Sequence, residues 1–191
     1  MLVSSLLHLH ICVSSEAHRF WSCLDHSGIS ASIGGGSIAL MYILLHCHGS
    51  MRFFWIGLLI LANSVGVIGP LFSFWTKPSF RVYRSLIYIA SGAATVGPIM
   101  YYIFHEGTSK LPLDLNENFA VGHFFLMAFQ YVFGAFIYAS RIPERFWPGK
   151  FDYYFSSHQI WHVFVVTGSF TVWRTIIDLI KWKMSDLEMC L

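Results

Sequence analysis

The 191-residue chain is 55% hydrophobic and only 12% charged, against about 25% charged residues in an ordinary soluble domain. A net charge of +2 with no basic stripe gives no nucleic-acid-binding surface, and a soluble core cannot absorb so many apolar residues.

Residues 1–15 open the chain as an apolar stretch without a basic leader or an A-x-A cleavage site, and they include His8 and His10. They read as the second half of a membrane helix rather than a signal peptide, as expected of an N-terminally truncated or alternatively started product. Five runs without Asp, Glu, Lys or Arg follow, at residues 26–50, 53–76, 85–104, 119–140 and 153–173. Each exceeds the roughly 18–20 residues that cross about 30 Å of hydrocarbon at 1.5 Å per residue. The predicted architecture is one all-α integral membrane domain. Its helices are expected near 1–15 (partial), 27–48, 53–75, 84–104, 119–140 and 153–175, with a C-terminal tail over 176–191.

Connections are expected at residues 16–25, at a tight turn over 51–52, and in a short basic loop over 77–84. A longer acidic loop covers 105–118, and residues 141–152 contain the helix breakers Pro143, Pro148 and Gly149. Lys and Arg orient the bundle. Seven (Arg19, Lys77, Arg81, Arg84, Arg141, Arg145 and Lys150) fall on one side and four (Arg52, Lys110, Lys181 and Lys183) on the other. The first side is expected to be cytoplasmic and the C-terminus external or luminal.

Gly28, Ser32, Gly35, Gly36 and Ala39 recur at spacings of three and four, a stripe suited to close helix packing. Cys12, Cys23, Cys47 and Cys190 show no CxxC spacing and are expected as reduced thiols.

Ionisable residues inside a membrane are costly and mark functional sites. The strongest cluster is Ser157-His158-Gln159-Ile160-Trp161-His162. His158 and His162 lie one turn apart on one helix face and can offer two imidazoles to one metal ion. Gln159 stands where H-E-x-x-H would have its glutamate, so this helix brings no general base. A third ligand would come from His8 or His10; Ser4 shares a face with His8, and Asp25 begins the next helix at the same end. Three histidines and a water, polarised by a carboxylate, make an open catalytic zinc arrangement. The other histidines carry less: His46 and His48 flank Cys47 at an outer helix end, and His123 reads as a hydrogen-bonding residue of the bundle. Arg174 and Asp178 are spaced for an i,i+4 ion pair.

The stretch RIPERFWPGKFD over 141–152, followed by the S-H-Q-x-x-H of Ser157–His162, resembles the adiponectin receptors of the progestin and adipoQ receptor family, related to hemolysin III-like proteins. LDHSGI over 24–29 is similar to the start of that family's third helix. The resemblance implies a seven-helix bundle, of which this chain lacks the first helix and the start of the second. It also implies a cytoplasmic N-terminus and a zinc ion held by His8, His158 and His162, with Ser4 and Asp25 beside the bound water. The activity implied is hydrolysis of a lipid amide, with ceramide as the substrate class. Implied partners are membrane lipids, an extracellular protein ligand of the adiponectin type, and a homo- or hetero-oligomer with a full-length receptor. The alternative is a non-enzymatic receptor or scaffold with structural zinc, closed by a fourth ligand such as His10. A channel lacks support, because no helix shows the repeated charges of an aqueous path.

Overall fold

A computed structural model describes residues 6, 14–107, 120–151 and 154–185. Six α-helices organise them: α1 (Ser15–Leu44), α2 (Gly49–Ile68), α3 (Arg81–Ala93), α4 (Val96–Glu106), α5 (Ala120–Ser140) and α6 (Ser157–Ser185). No strand occurs among the described residues. Helices α3 and α4 together form one apolar span, so that the described residues hold five spans long and apolar enough to cross a membrane. The chain is all-α and multi-pass. Its outer surface is apolar, with Phe104 83% and Phe125 68% exposed, which suits lipid rather than water.

Helix α1 starts earlier than expected. Residues 16–25, anticipated as a connection, are helical, because the Ser14 hydroxyl accepts the Ala17 N–H at 3.0 Å and Glu16 occupies the first turn. At 1.5 Å per residue the helix is about 45 Å long, more than the roughly 30 Å of a hydrocarbon core. Asp25 therefore lies ten residues inside α1 rather than at its start. Likewise Met51 and Arg52 belong to the first turn of α2. The reversal falls just before it, where the His48 N–H reaches the Leu45 carbonyl. Helix α6 continues to Ser185, ten residues beyond the expected end.

The break between α3 and α4 has a local cause. Pro98 supplies no N–H to the Ala94 carbonyl and its ring crowds that turn. Thr95 answers by donating both its N–H and its hydroxyl to the Gly92 carbonyl, at 3.1 and 2.7 Å.

The small-residue face of α1 is rotated from the expected stripe. Ser30, Gly34 and Ser37 are buried, whereas a Cβ at Gly28 or Gly35 would meet nothing. Gly34 packs on Asn63 of α2, and a Cβ on Gly66 of α2 would land on the Ser30 hydroxyl. Three- and four-residue spacing marks several overlapping stripes in a glycine-rich helix; the partner helix selects one. Of the expected stripe, Gly36 does face a neighbour, Val172 of α6.

Leu40, Met41, Leu44, Leu45, Leu59, Tyr102 and Leu179 form the buried core at one end of the bundle. There His48 approaches Glu106 at 3.2 Å. The spacing of Arg174 and Asp178 does produce a 3.9 Å ion pair, and His123 of α5 adds a closer one, with Nδ1 3.2 Å from Asp178. Cysteine chemistry departs from expectation. Cys23 is free, but Cys47 is disulfide-bonded. Sequence spacing misses such a bridge because the fold, not a CxxC motif, brings its thiols together.

Candidate zinc centre at the histidine end

The opposite end of the bundle gathers the N-terminal half of α1, the start of α3, the end of α5 and the start of α6. Helix α6 begins there through a cap that sequence reading overlooks. The Glu144 carboxylate accepts the Ser157 N–H at 2.8 Å and also the Ser157 hydroxyl. Burial works against ionisation of Glu144, but the Ser157 hydrogen bonds and the nearby Arg141 outweigh it, holding the carboxyl below its usual range. An anion here also faces the positive end of the helix dipole. The signal was present in the sequence as a glutamate beside Pro143, in a loop returning to a helix start, but nothing local ties it to a serine thirteen residues later.

From this fixed first turn, His158 and His162 project to one side. Their Nε2 atoms are 3.1 Å apart and their rings are near perpendicular, at 87°. Two imidazoles bound tetrahedrally at Zn–N distances of about 2.0–2.1 Å would place their nitrogens about 3.3 Å apart. The pair therefore fits two ligands of one zinc ion. An N–H···N hydrogen bond between a donor ring and an acceptor ring gives a similar spacing, and metal content separates the two. Among the described residues no group of three His, Cys, Asp or Glu side chains converges as a ligand set. Ser4, His8 and His10 lie outside the described residues.

His158 and His162 line a polar cavity of about 200 Å³ with Asp25, His18, His26 and Arg84. Asp25 thus lines the same cavity as the histidine pair. His26 is oriented by its Nδ1, which donates to the Ser22 carbonyl at 2.7 Å. Arg84 is a second residue that sequence reading misplaced. Expected as a loop charge, it lies in α3 and is only 5% exposed. Its guanidinium donates to the Trp75 carbonyl, to the Lys77 carbonyl at 3.3 Å, and to the Tyr138 hydroxyl at 3.2 Å. It thus ties the α2–α3 connection to the end of α5.

A second cavity of about 260 Å³ adjoins the first, and both are walled by Ile29, Tyr88, Ala135 and Trp161. Beyond that shared wall its lining is mostly apolar, with Phe124, Met127, Val132 and Val165. A polar chamber with histidines thus meets a chamber suited to hydrocarbon.

The family model for haemolysin-III-related proteins matches residues 1–173. The chain belongs to that family. It is 33% identical to heptahelical transmembrane protein 4 of Arabidopsis thaliana, over all of this chain and 48% of that protein. It is 28% identical to an adiponectin receptor protein of Drosophila melanogaster, over 97% of this chain and 41% of that protein. A progestin and adipoQ receptor-like protein 1 of Caenorhabditis elegans is 30% identical, over 96% and 42% respectively. The chain spans less than half the length of these relatives. The resemblance read from residues 141–162 is thereby shown, and with it the helical membrane bundle of this haemolysin-III-related protein.

Proposed function

We propose that this haemolysin-III-related protein is an adiponectin-receptor-like membrane receptor with a zinc centre at its histidine end, where it hydrolyses a lipid amide of the ceramide class. The observation that carries this reading is the junction of the two cavities. His158, His162 and Asp25 line the polar one, and an apolar chamber of sufficient size for part of an acyl chain begins at the shared wall. An amphiphile with a polar amide and a long tail matches that division.

Bound zinc would supply an acidified water and a polarised amide carbonyl. His158 and His162 would hold the ion through Nε2, and the family resemblance makes His8 the third ligand, with Ser4 nearby. Asp25 would accept the water proton at its carboxylate. Water would so be added across the amide C–N bond, its hydroxyl to the acyl carbon and the proton taken by Asp25 to the leaving nitrogen, to give a fatty acid and a sphingoid base. The apolar chamber would hold the acyl chain and keep bulk water away. Glu144 acts at a distance, as a positioning residue, by fixing the turn that carries His158. The receptor part of the reading, an extracellular protein ligand of the adiponectin type, is supported by the kinship with the Drosophila receptor.

The test is fatty acid release from ceramide by the purified chain in lipid nanodiscs, beside Asp25→Asn. General acid–base help of this kind contributes about 10²–10⁴-fold, so Asp25→Asn should lose at least the lower figure while retaining its metal. Undiminished hydrolysis by metal-free protein would falsify the mechanism. Bound zinc without any hydrolysis would leave the non-enzymatic receptor or scaffold.

A further inference from the structure

Two connections meet at the histidine end. Residues 72–77 join the span that ends at Leu71 to the one that begins at Pro78, and residues 141–156 join the span ending at Ser140 to the one beginning at Ser157. Tyr138, in the last turn of α5, holds the two side by side. The Arg81 guanidinium lies over its ring, with Cζ 4.8 Å from the centroid. Its hydroxyl accepts from Arg84 at 3.2 Å, and Arg84 also donates to the Lys77 carbonyl at 3.3 Å. Its carbonyl accepts the Arg141 N–H at 3.4 Å, and the Arg141 carbonyl in turn accepts the Arg145 N–H at 2.7 Å.

Five cations thereby belong to one rim: Lys77, Arg81, Arg141, Arg145 and Lys150. Arg81 is half-buried against Tyr138, and the other four are exposed. Arg84 is not among them, being buried and committed to carbonyls. Residues 77–84 and 141–152 contain two acids, Glu144 and Asp152. Glu144 is taken up by Ser157, and Asp152 lies outside the described residues. Among the described residues the ion pairs lie at the other end of the bundle, at His48 and Asp178. Beside the cations the rim exposes Phe72, Phe74, Tyr83, Phe146 and Trp147. Aromatic rings at the end of an apolar span suit the headgroup level of a bilayer, and clustered Lys and Arg at that level attract anionic lipids.

We propose that these five cations cradle the negatively charged headgroup of an anionic phospholipid, with the exposed rings seated among the neighbouring acyl chains. A small soluble anion would satisfy the charges and leave the rings without a role; a lipid uses both. On the Lys and Arg distribution this end is expected to be cytoplasmic, the leaflet that carries anionic lipids. Tyr138 also lines the polar cavity, so the bound headgroup sits at the rim of the histidine chamber. The interaction requires neither zinc nor hydrolysis.

The experiment places the full chain in phosphatidylcholine vesicles with a trace of spin-labelled phosphatidylserine or spin-labelled phosphatidylcholine. Electron spin resonance then gives the relative association of the two lipids with the protein. Wild type should prefer phosphatidylserine at low salt, and the preference should shrink as added salt screens the charges. Each cation near such a surface is worth about fivefold, so the combined change Lys77→Gln, Arg145→Gln and Lys150→Gln should remove most of the preference. Lys181→Gln with Lys183→Gln, at the opposite end, should leave it in place. No preference in wild type overturns the proposal, as does one that persists undiminished at high salt. An equal loss in the opposite-end variant also overturns it, because the attraction would then belong to overall charge. The salt titration is read on wild type, so a poorly folding variant leaves the test decisive.

Discussion

Glu144 and Ser157, thirteen residues apart, are joined by two hydrogen bonds that close the loop between α5 and α6. Their consequence falls on the next residue, His158, whose position relative to His162 depends on the first turn of α6 being formed. A helix start left uncapped frays.

Replacement of Glu144 by Gln should cost about 1 kcal/mol of stability, the usual value of an N-terminal cap, and should reduce metal retention. Thermal unfolding in detergent and zinc per chain measure the two effects. The pH dependence has a definite sign. The Glu144 carboxyl is held below its usual value in the folded chain, so its contribution is full above the ordinary carboxylate range. It is lost as pH falls through the lowered folded value. Wild type should therefore lose more unfolding temperature between neutral and strongly acidic pH than Glu144→Gln does. Equal losses would remove the cap from the account.

Much of this architecture is legible in the sequence, and the parts that are not share a cause. Charge-free length marks each span because hydrocarbon tolerates little else, and four-residue spacing puts His158 over His162 on any helix. What escapes is whatever depends on a partner far along the chain. Glu144 looks like a loop acid until Ser157 is beside it. Arg84 looks like a cytoplasmic loop charge until the carbonyls of Trp75 and Lys77 surround it. The packing stripe of α1 is chosen by Gly66 and Asn63 of α2, which no pattern within α1 reveals.

Gly66→Ala tests that helix contact. The new methyl has no room beside Ser30, and overpacking costs typically about 1–3 kcal/mol. Gly57, in the same helix, has nothing within reach of a Cβ, so Gly57→Ala should be neutral or slightly stabilising. Thermal-shift measurements on the two variants should differ in sign or clearly in size. Equal shifts would place the α1–α2 contact elsewhere.

Arg84→Met should destabilise by about 2 kcal/mol or more. It leaves the Trp75 and Lys77 carbonyls without their donor, and a buried unsatisfied group such as the Trp75 carbonyl costs about 1–3 kcal/mol. Arg84→Lys should not restore the loss, since one ammonium cannot span acceptors arranged around a planar guanidinium. Denaturation of both variants in the same detergent is the check; full rescue by lysine would reduce Arg84 to a simple charge.

At the other end, Asp178→Asn should weaken the α5–α6 pairing through His123 and lower the unfolding temperature. Zinc content should stay unchanged, because the two ends share no side chain. Loss of metal in this variant would mean that the histidine end depends on global packing rather than on its own residues.

The most direct measurement is the metal content of the detergent-purified chain by mass spectrometry, for wild type, His158→Ala, His162→Ala and His123→Ala. The account predicts one zinc per chain in wild type and in His123→Ala, and loss of the metal in both His158→Ala and His162→Ala. A folded wild type that binds no zinc in zinc-supplemented buffer would contradict it, leaving the 3.1 Å histidine pair as an ordinary hydrogen bond within a membrane receptor.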